Sequence, residues 1–242
     1  MTPKDMVFKL LTISKKTTKL LYQPTEPNVI YKDFPYYSQW VLPELVDKIL
    51  SHKIAAREDK KWKSFGARNP EEYLHVSWNG CGMACLQMIL KHKLKKNIPL
   101  VKLFKSCMEY GGYKINSEEY KKGNPRNSVE GLFYKPFVKF LHQEFDLSAA
   151  IISPMVIEDI IQALENGKYV IVSVNPDIRT PQLKPEQVGG HLVIVTGFDW
   201  NKRVLYIHNP SGFYQVKNSQ QYAPVRFKDF EKFFAYRGIV ID

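Results

Sequence analysis

A cysteine lies between two glycines in Asn79-Gly80-Cys81-Gly82, and an apolar stretch, Met83 to Leu90, follows at once. Flanking glycines allow a sharp turn and put no side chain in the way of an approaching molecule. The Ala, Leu, Met and Gln that follow are good helix formers, and with so few polar positions they predict a buried helix starting at the cysteine. A helix N-terminus offers free N–H groups and partial positive charge, which favour thiolate over thiol. The chemistry expected of such a cysteine is nucleophilic attack. The competing reading of the segment is an inert buried thiol.

Far downstream, Gly189-Gly190-His191 heads the β-branched run Leu192 to Asp199, and a turn-like Asp199-Trp200-Asn201-Lys202 leads into Arg203 to Pro210. This pattern predicts an antiparallel hairpin. A three-residue loop centred on Trp200 would pair His191 with Asn209, with side chains on one face and Cβ atoms about 4.5–5.5 Å apart. A two-residue loop would pair His191 with Pro210 instead. Cysteine, histidine and an orienting asparagine are the set used by papain-like proteases: the histidine takes the thiol proton, leaving a thiolate–imidazolium pair. An oxyanion donor is also needed. Gln39, in the aromatic segment Asp33 to Trp40, supplies a neutral amide upstream of the other three.

The segments Tyr36-Tyr37-Ser38-Gln39, Asn79 to Cys85, Gly189 to Val193 and His208-Asn209-Pro210-Ser211-Gly212 resemble the four motifs of the bacteriocin-processing (double-glycine leader) peptidase superfamily. The resemblance is closest to its stand-alone branch of papain-like cysteine peptidases and spans roughly residues 30–242. It implies Gln39 in the oxyanion hole, Cys81 as nucleophile, His191 as general base and Asn209 as its orienting partner. Transporter-linked members commonly carry Asp where Asn209 stands, so their leader-peptide specificity does not carry over. Three functions fit these residues: a cysteine peptidase cleaving a peptide or isopeptide bond, a papain-fold acyltransferase passing the acyl group to an amine or thiol, and a non-catalytic peptide-binding module.

The elements that must position these residues read as helices first and strands later, an α+β pattern. Helical spacing follows Pro43, Cys81, Leu100, Phe133 and Val156. Strands are expected over Tyr169–Val174, the His191 hairpin and Gly238–Ile241, with a short helix near Phe227–Phe234. The expected result is a papain-like core in residues 31–242, with the nucleophile helix packed on an antiparallel sheet that carries His191 and Asn209. Residues 1–30 form an N-terminal extension, read as a hairpin turning at Lys15-Lys16-Thr17-Thr18. Two long irregular segments, residues 52–78 and Asn175–Gly190, are expected to wall the substrate groove. Trp78, Tyr73 and Arg179 are the expected substrate contacts, beside Gly80 and Gly190. His75, His92 and His208 read as structural, and Cys85 and Cys107 as core thiols.

With 242 residues, 44% of them hydrophobic and 13% aromatic, the chain has ample core and no disorder signature. Three cysteines form no disulfide framework, and the Cys81-x3-Cys85 spacing is not zinc-like, so neither cofactor nor metal is expected. The N-terminus lacks a signal-peptide pattern and no run is long enough to span a membrane, which suggests a cytoplasmic protein. The net charge of +11 is mostly scattered lysine and matches no nucleic-acid module. A peptide or protein is therefore the expected partner, with the basic surface steering acidic groups at most.

Overall fold

Two runs, Tyr169–Val174 and His191–Asp199, are buried along nearly their whole length, so a sheet built on them must be covered on both faces. The computed structural model, which describes residues 2–216 and 218–242, has this arrangement. In chain order the first elements are α1 (Pro3–Thr18), β1 (Asn28–Ile30), α2 (Val46–Leu50), α3 (Pro70–Asn79), α4 (Cys81–Leu94) and α5 (Leu100–Glu109). A small hairpin, β2 (Tyr113–Ile115) and β3 (Val129–Gly131), brackets α6 (Ser117–Lys121). Then come α7 (Tyr134–Phe145), β4 (Ala149–Ile152), α8 (Ile157–Glu165), β5 (Tyr169–Val174), β6 (His191–Asp199) and β7 (Val204–His208). The chain finishes with β8 (Ala223–Arg226), α9 (Phe227–Phe233) and β9 (Phe234–Ile241).

The main sheet runs β4-β9-β5-β6-β7-β8, with β1 added against the far end of β6, and its pairings are antiparallel. Strand alternation sends successive residues to opposite faces. Leu192 and Ile194 enter a core with α4, α5 and α7, while Val193 and Val195 enter a second core with α8 and α9. The fold is therefore α+β, as expected, with the buried helix α4 packed against β6. A third, smaller cluster gathers Trp40, Val46, Ile49, Tyr73 and Leu74. Among the described residues, no helix is long and apolar enough to cross a membrane.

Two expectations about the elements are corrected. Residues 3–18 are a helix rather than a hairpin arm. Thr2 accepts from the Asp5 N–H, the Asp5 carboxylate accepts from the Thr2 N–H, and Pro3 opens the first turn. That start signature carries the helix through Lys15-Lys16-Thr17-Thr18. Lys15 and Lys19 dock α1 on Asp159, and Lys16 docks it on Glu231. Second, residues 52–78 are not irregular throughout: their end is α3, capped by Asn69, whose side chain accepts from the Glu72 N–H.

Candidate active site

Cys81 opens α4 with Gly80 as the only residue between it and α3. The glycines do not serve the turn that the sequence suggested. Gly80 has an ordinary φ of −86°, and Gly82 lies inside the helix. What they provide is close approach. A Cβ on Gly80 would lie 2.9 Å from Leu100 Cδ2, and one on Gly82 would lie 2.9 Å from Leu132 Cδ2 and 3.0 Å from Leu192 Cδ1. Bare backbone thus lets the start of α4 sit directly against α5 and β6. The Leu192 N–H points at the Cys81 thiol, which places the sulfur beside the first residues of β6.

His191 is the first residue of β6, and its Nε2 lies 2.8 Å from Asn209 Oδ1. The expected contact exists, but the expected strand register does not produce it. Four residues separate Asp199 from its partner Val204, and a bulge between Val195 and Gly197 moves the ladder again, so Ile194 pairs with His208 and the strand ends there. Asn209 instead reaches His191 from the turn that follows. Its Oδ1 accepts from the Ser211 N–H at 3.1 Å, and its carbonyl accepts from the Gly212 N–H. The Ser211 N–H can only donate, so the Asn209 amide has its oxygen toward the imidazole. Nε2 must then carry the ring proton, and Nδ1 is left as the bare, basic nitrogen.

Sequence reasoning gave Ser211 no role, although its polar, turn-forming context was a signal. Its Oγ lies 3.3 Å from His191 Nε2 and accepts from an Arg179 Nη at 2.5 Å. Arg179 Nε also donates to the Ser211 carbonyl.

Gln39 is fixed by both sides of the site. Its N–H donates to the Pro210 carbonyl, and Ser38 Oγ donates to the same oxygen. Its Nε2 donates at 2.9 Å to the Ser77 carbonyl, near the end of α3. The same Nε2 has a longer contact, 3.5 Å, to the Trp78 carbonyl, so its second hydrogen is only weakly held. The unbonded N–H groups at the start of α4 provide further donors in the cleft.

Cys81, His191 and Gln39 line one cleft of about 520 Å³, with Asn209 behind the histidine. A model of the Peptidase_C39 like family matches residues 31–240. The chain belongs to that family. It is a papain-like member of the C39 superfamily, a family of cysteine-peptidase type. A crystal structure of a candidate C39-like peptidase from Bacillus anthracis is similar at 18% identity and a TM-score of 0.51, covering 89% of this chain and 97% of that one. At this identity the likeness speaks for the fold alone. No curated protein matches the chain.

The C39-like cleft has the Asn175–Gly190 segment as one wall, as the sequence suggested, through Asn175, Arg179, Gln187 and Gly190. Trp78 lines it as well. Tyr73 does not: it is fully buried in the third cluster, where its hydroxyl accepts from the Val41 N–H. Gly80 is likewise buried against Leu100 rather than facing the cleft. Arg126, on the loop before β3, lines the cleft without having been anticipated.

The resting protonation state differs from the expected ion pair. Burial is the largest influence on Cys81 and pushes its thiol up, opposed by the Leu192 N–H, by N–H groups of α4 and by the Arg179 charge. Burial, with the same Arg179 charge, lowers His191 to about 3, although Asn209 pulls it upward. Both directions favour the thiol and the neutral imidazole over the ion pair.

The other histidines are held elsewhere. His75 Nδ1 meets Ser128 Oγ at 2.7 Å, His92 Nδ1 meets the Tyr169 hydroxyl, and His208 is packed among Phe34, Tyr36 and Tyr222. Cys85 and Cys107 are buried, with burial raising both thiols. Among the described residues, no group of three His, Cys, Asp or Glu side chains could hold a metal ion.

Proposed function

We propose that the protein is a cysteine peptidase that cleaves a peptide or isopeptide bond through a Cys81 thioester. The observation that carries this reading is the 2.8 Å contact from His191 Nε2 to Asn209 Oδ1 beside the cleft that Cys81 lines, because it leaves Nδ1 free as the base. In the first step Cys81 Sγ attacks the substrate carbonyl carbon while His191 Nδ1 takes the thiol proton. The oxyanion that forms is met by the Cys81 N–H and by the Nε2 hydrogen of Gln39 that exchanges its long contact with the Trp78 carbonyl for the substrate oxygen. Collapse of the tetrahedral species breaks the C–N bond, and His191 returns its proton to the leaving amine. A water, deprotonated by the neutral imidazole, then attacks the thioester and releases the acid and the thiol.

The test is to incubate the protein with a complex peptide mixture, quench in acid and weigh the intact chain. An acyl adduct on Cys81, free-acid products with new N-termini, and loss of both in Cys81→Ala are expected. Products that appear only as amides of an added amine would make the protein an acyltransferase. Absence of both adduct and product would leave a peptide-binding module.

A further inference from the structure

The cleft carries an unbalanced charge. Arg126 and Arg179 line it, and Arg237 lines the adjoining pocket of about 90 Å³ that shares Cys81, Gly190 and His191. The one acid lining either space is Asp177. Elsewhere Arg57 pairs with Glu71, Arg68 with Glu72 and Arg226 with Asp229, while Arg203 stacks on Trp200 and Phe227; in the cleft wall, the Arg179 guanidinium lies 6.0 Å from the Phe213 ring. Among the described residues, none of the three cleft arginines has a carboxylate within ion-pair distance. Arg126 is laid along the wall with its guanidinium 4.8 Å from the Trp78 ring, and an Nη donates to His52 at 3.3 Å. Arg179 spends Nε and one Nη on Ser211, which leaves N–H donors of its planar fork unused. Asp177 acts on Arg179 only from beyond ion-pair distance, and an enclosed guanidinium without a paired carboxylate is costly unless an anion joins it.

We infer that the cleft selects peptides bearing a carboxylate close to the scissile bond, received by Arg126 and Arg179, with Arg237 extending the field past Cys81. This rests on the peptidase reading for its occupant: a peptide in the cleft brings carboxylates as Asp or Glu side chains or as its own C-terminus. Arginine holds either group with paired, charge-assisted hydrogen bonds that a neutral amide cannot match. A bound carboxylate also offsets the Arg179 charge that holds down the basicity of His191, so an acidic substrate would strengthen the base it needs.

The experiment uses the Cys81→Ala protein and rhodamine-labelled octapeptides of Ala, Ser and Gly. Each peptide carries one Glu, one Gln or one Lys at each position in turn, with a free or amidated C-terminus. Anisotropy should show at least one placement in which Glu binds about tenfold more tightly than Gln, and Lys more weakly still. The preference should shrink as salt is raised, because exposed charge interactions are screened. Arg126→Gln, an exposed position, should remove most of the preference with an unchanged circular dichroism spectrum, and Arg237→Gln should remove less. If only the free C-terminus matters, the terminal carboxylate is the ligand. Equal binding of Glu, Gln and Lys peptides, no binding by any of them, or a preference untouched by Arg126→Gln would overturn the inference. Incubating wild-type protein with the same peptides separates the two claims. Cleavage without acid preference would sink this inference alone, and acid-selective binding without cleavage would sink the peptidase reading alone.

Discussion

On one side of the cleft Cys81 stands on a helix whose residues Gly82 to Leu90 are buried, with glycines pressed against leucine side chains. On the other side His191 stands at the end of a strand and is held by Asn209 and Ser211, with Arg179 behind them. The nucleophile is thus placed by shape and the base by hydrogen bonds. Close-packed carbon resists added volume, so errors on the first side should appear as lost stability. Polar contacts around a buried ring fix its proton and orientation, so errors on the second side should appear in rate and pH dependence.

The largest expected effect is on the polar side. His191→Ala removes the base outright and should lower kcat/KM by about 10⁴–10⁶-fold, as loss of a member of a catalytic set does. Its melting temperature should stay close to wild type. A large loss of stability would mean that the ring is a packing element first, and the contrast between the sides would fail.

A smaller effect is expected when only the orienting group changes. Asn209→Ala should cost about 10- to 100-fold in kcat/KM, below the range for full loss of general-base catalysis. Asn209→Asp should remain active, since a carboxylate also accepts from Nε2. The pH profile sharpens the case. The wild-type imidazole, lowered to about 3 by burial and Arg179, is neutral at ordinary pH, so the acidic limb should lie well below pH 6.5. A negative neighbour raises a histidine pKa, so Asn209→Asp should move that limb upward. An unmoved limb would mean that Asn209 does not govern the base.

The smallest effect on rate belongs to the packed side. Gly82→Ala would set a methyl 2.9 Å from Leu132 Cδ2 and 3.0 Å from Leu192 Cδ1. It should destabilise the fold by about 1–3 kcal/mol, read as a lowered melting temperature, while the acidic limb keeps its position. An unchanged melting temperature would show that the two leucines can retreat, and that shape does not place the nucleophile.

Much of this site was legible in the chain because local patterns carry it. The apolar run after Cys81 specified α4, and the short β-branched apolar runs of Tyr169–Val174 and His191–Asp199 specified the two central strands. The contact between His191 and Asn209 was foreseen from a hairpin register that the structure does not have. A longer loop and a bulge displace the ladder, and the Asn209-Pro210-Ser211-Gly212 turn restores the contact. Turn chemistry was written there, but its effect depends on where the strand ends. The reading of α1 failed for the opposite reason: basic residues read as a turn lie inside a helix that acids of α8 and α9 hold from outside.

The helix that carries the thiol and the strands that carry the base follow from the chain alone, because period and propensity are local properties. Tertiary structure alone decided three other matters. It made the glycines beside Cys81 spacers rather than hinges, since only packed neighbours can demand a missing Cβ. It buried Tyr73 and drew Arg126 to the cleft, since burial depends on what folds over a residue. It also kept the thiol and imidazole neutral at rest. A pKa answers to desolvation and to every charge nearby, and Arg179 comes within reach of Cys81 and His191 only when the wall of the cleft folds against the end of the sheet.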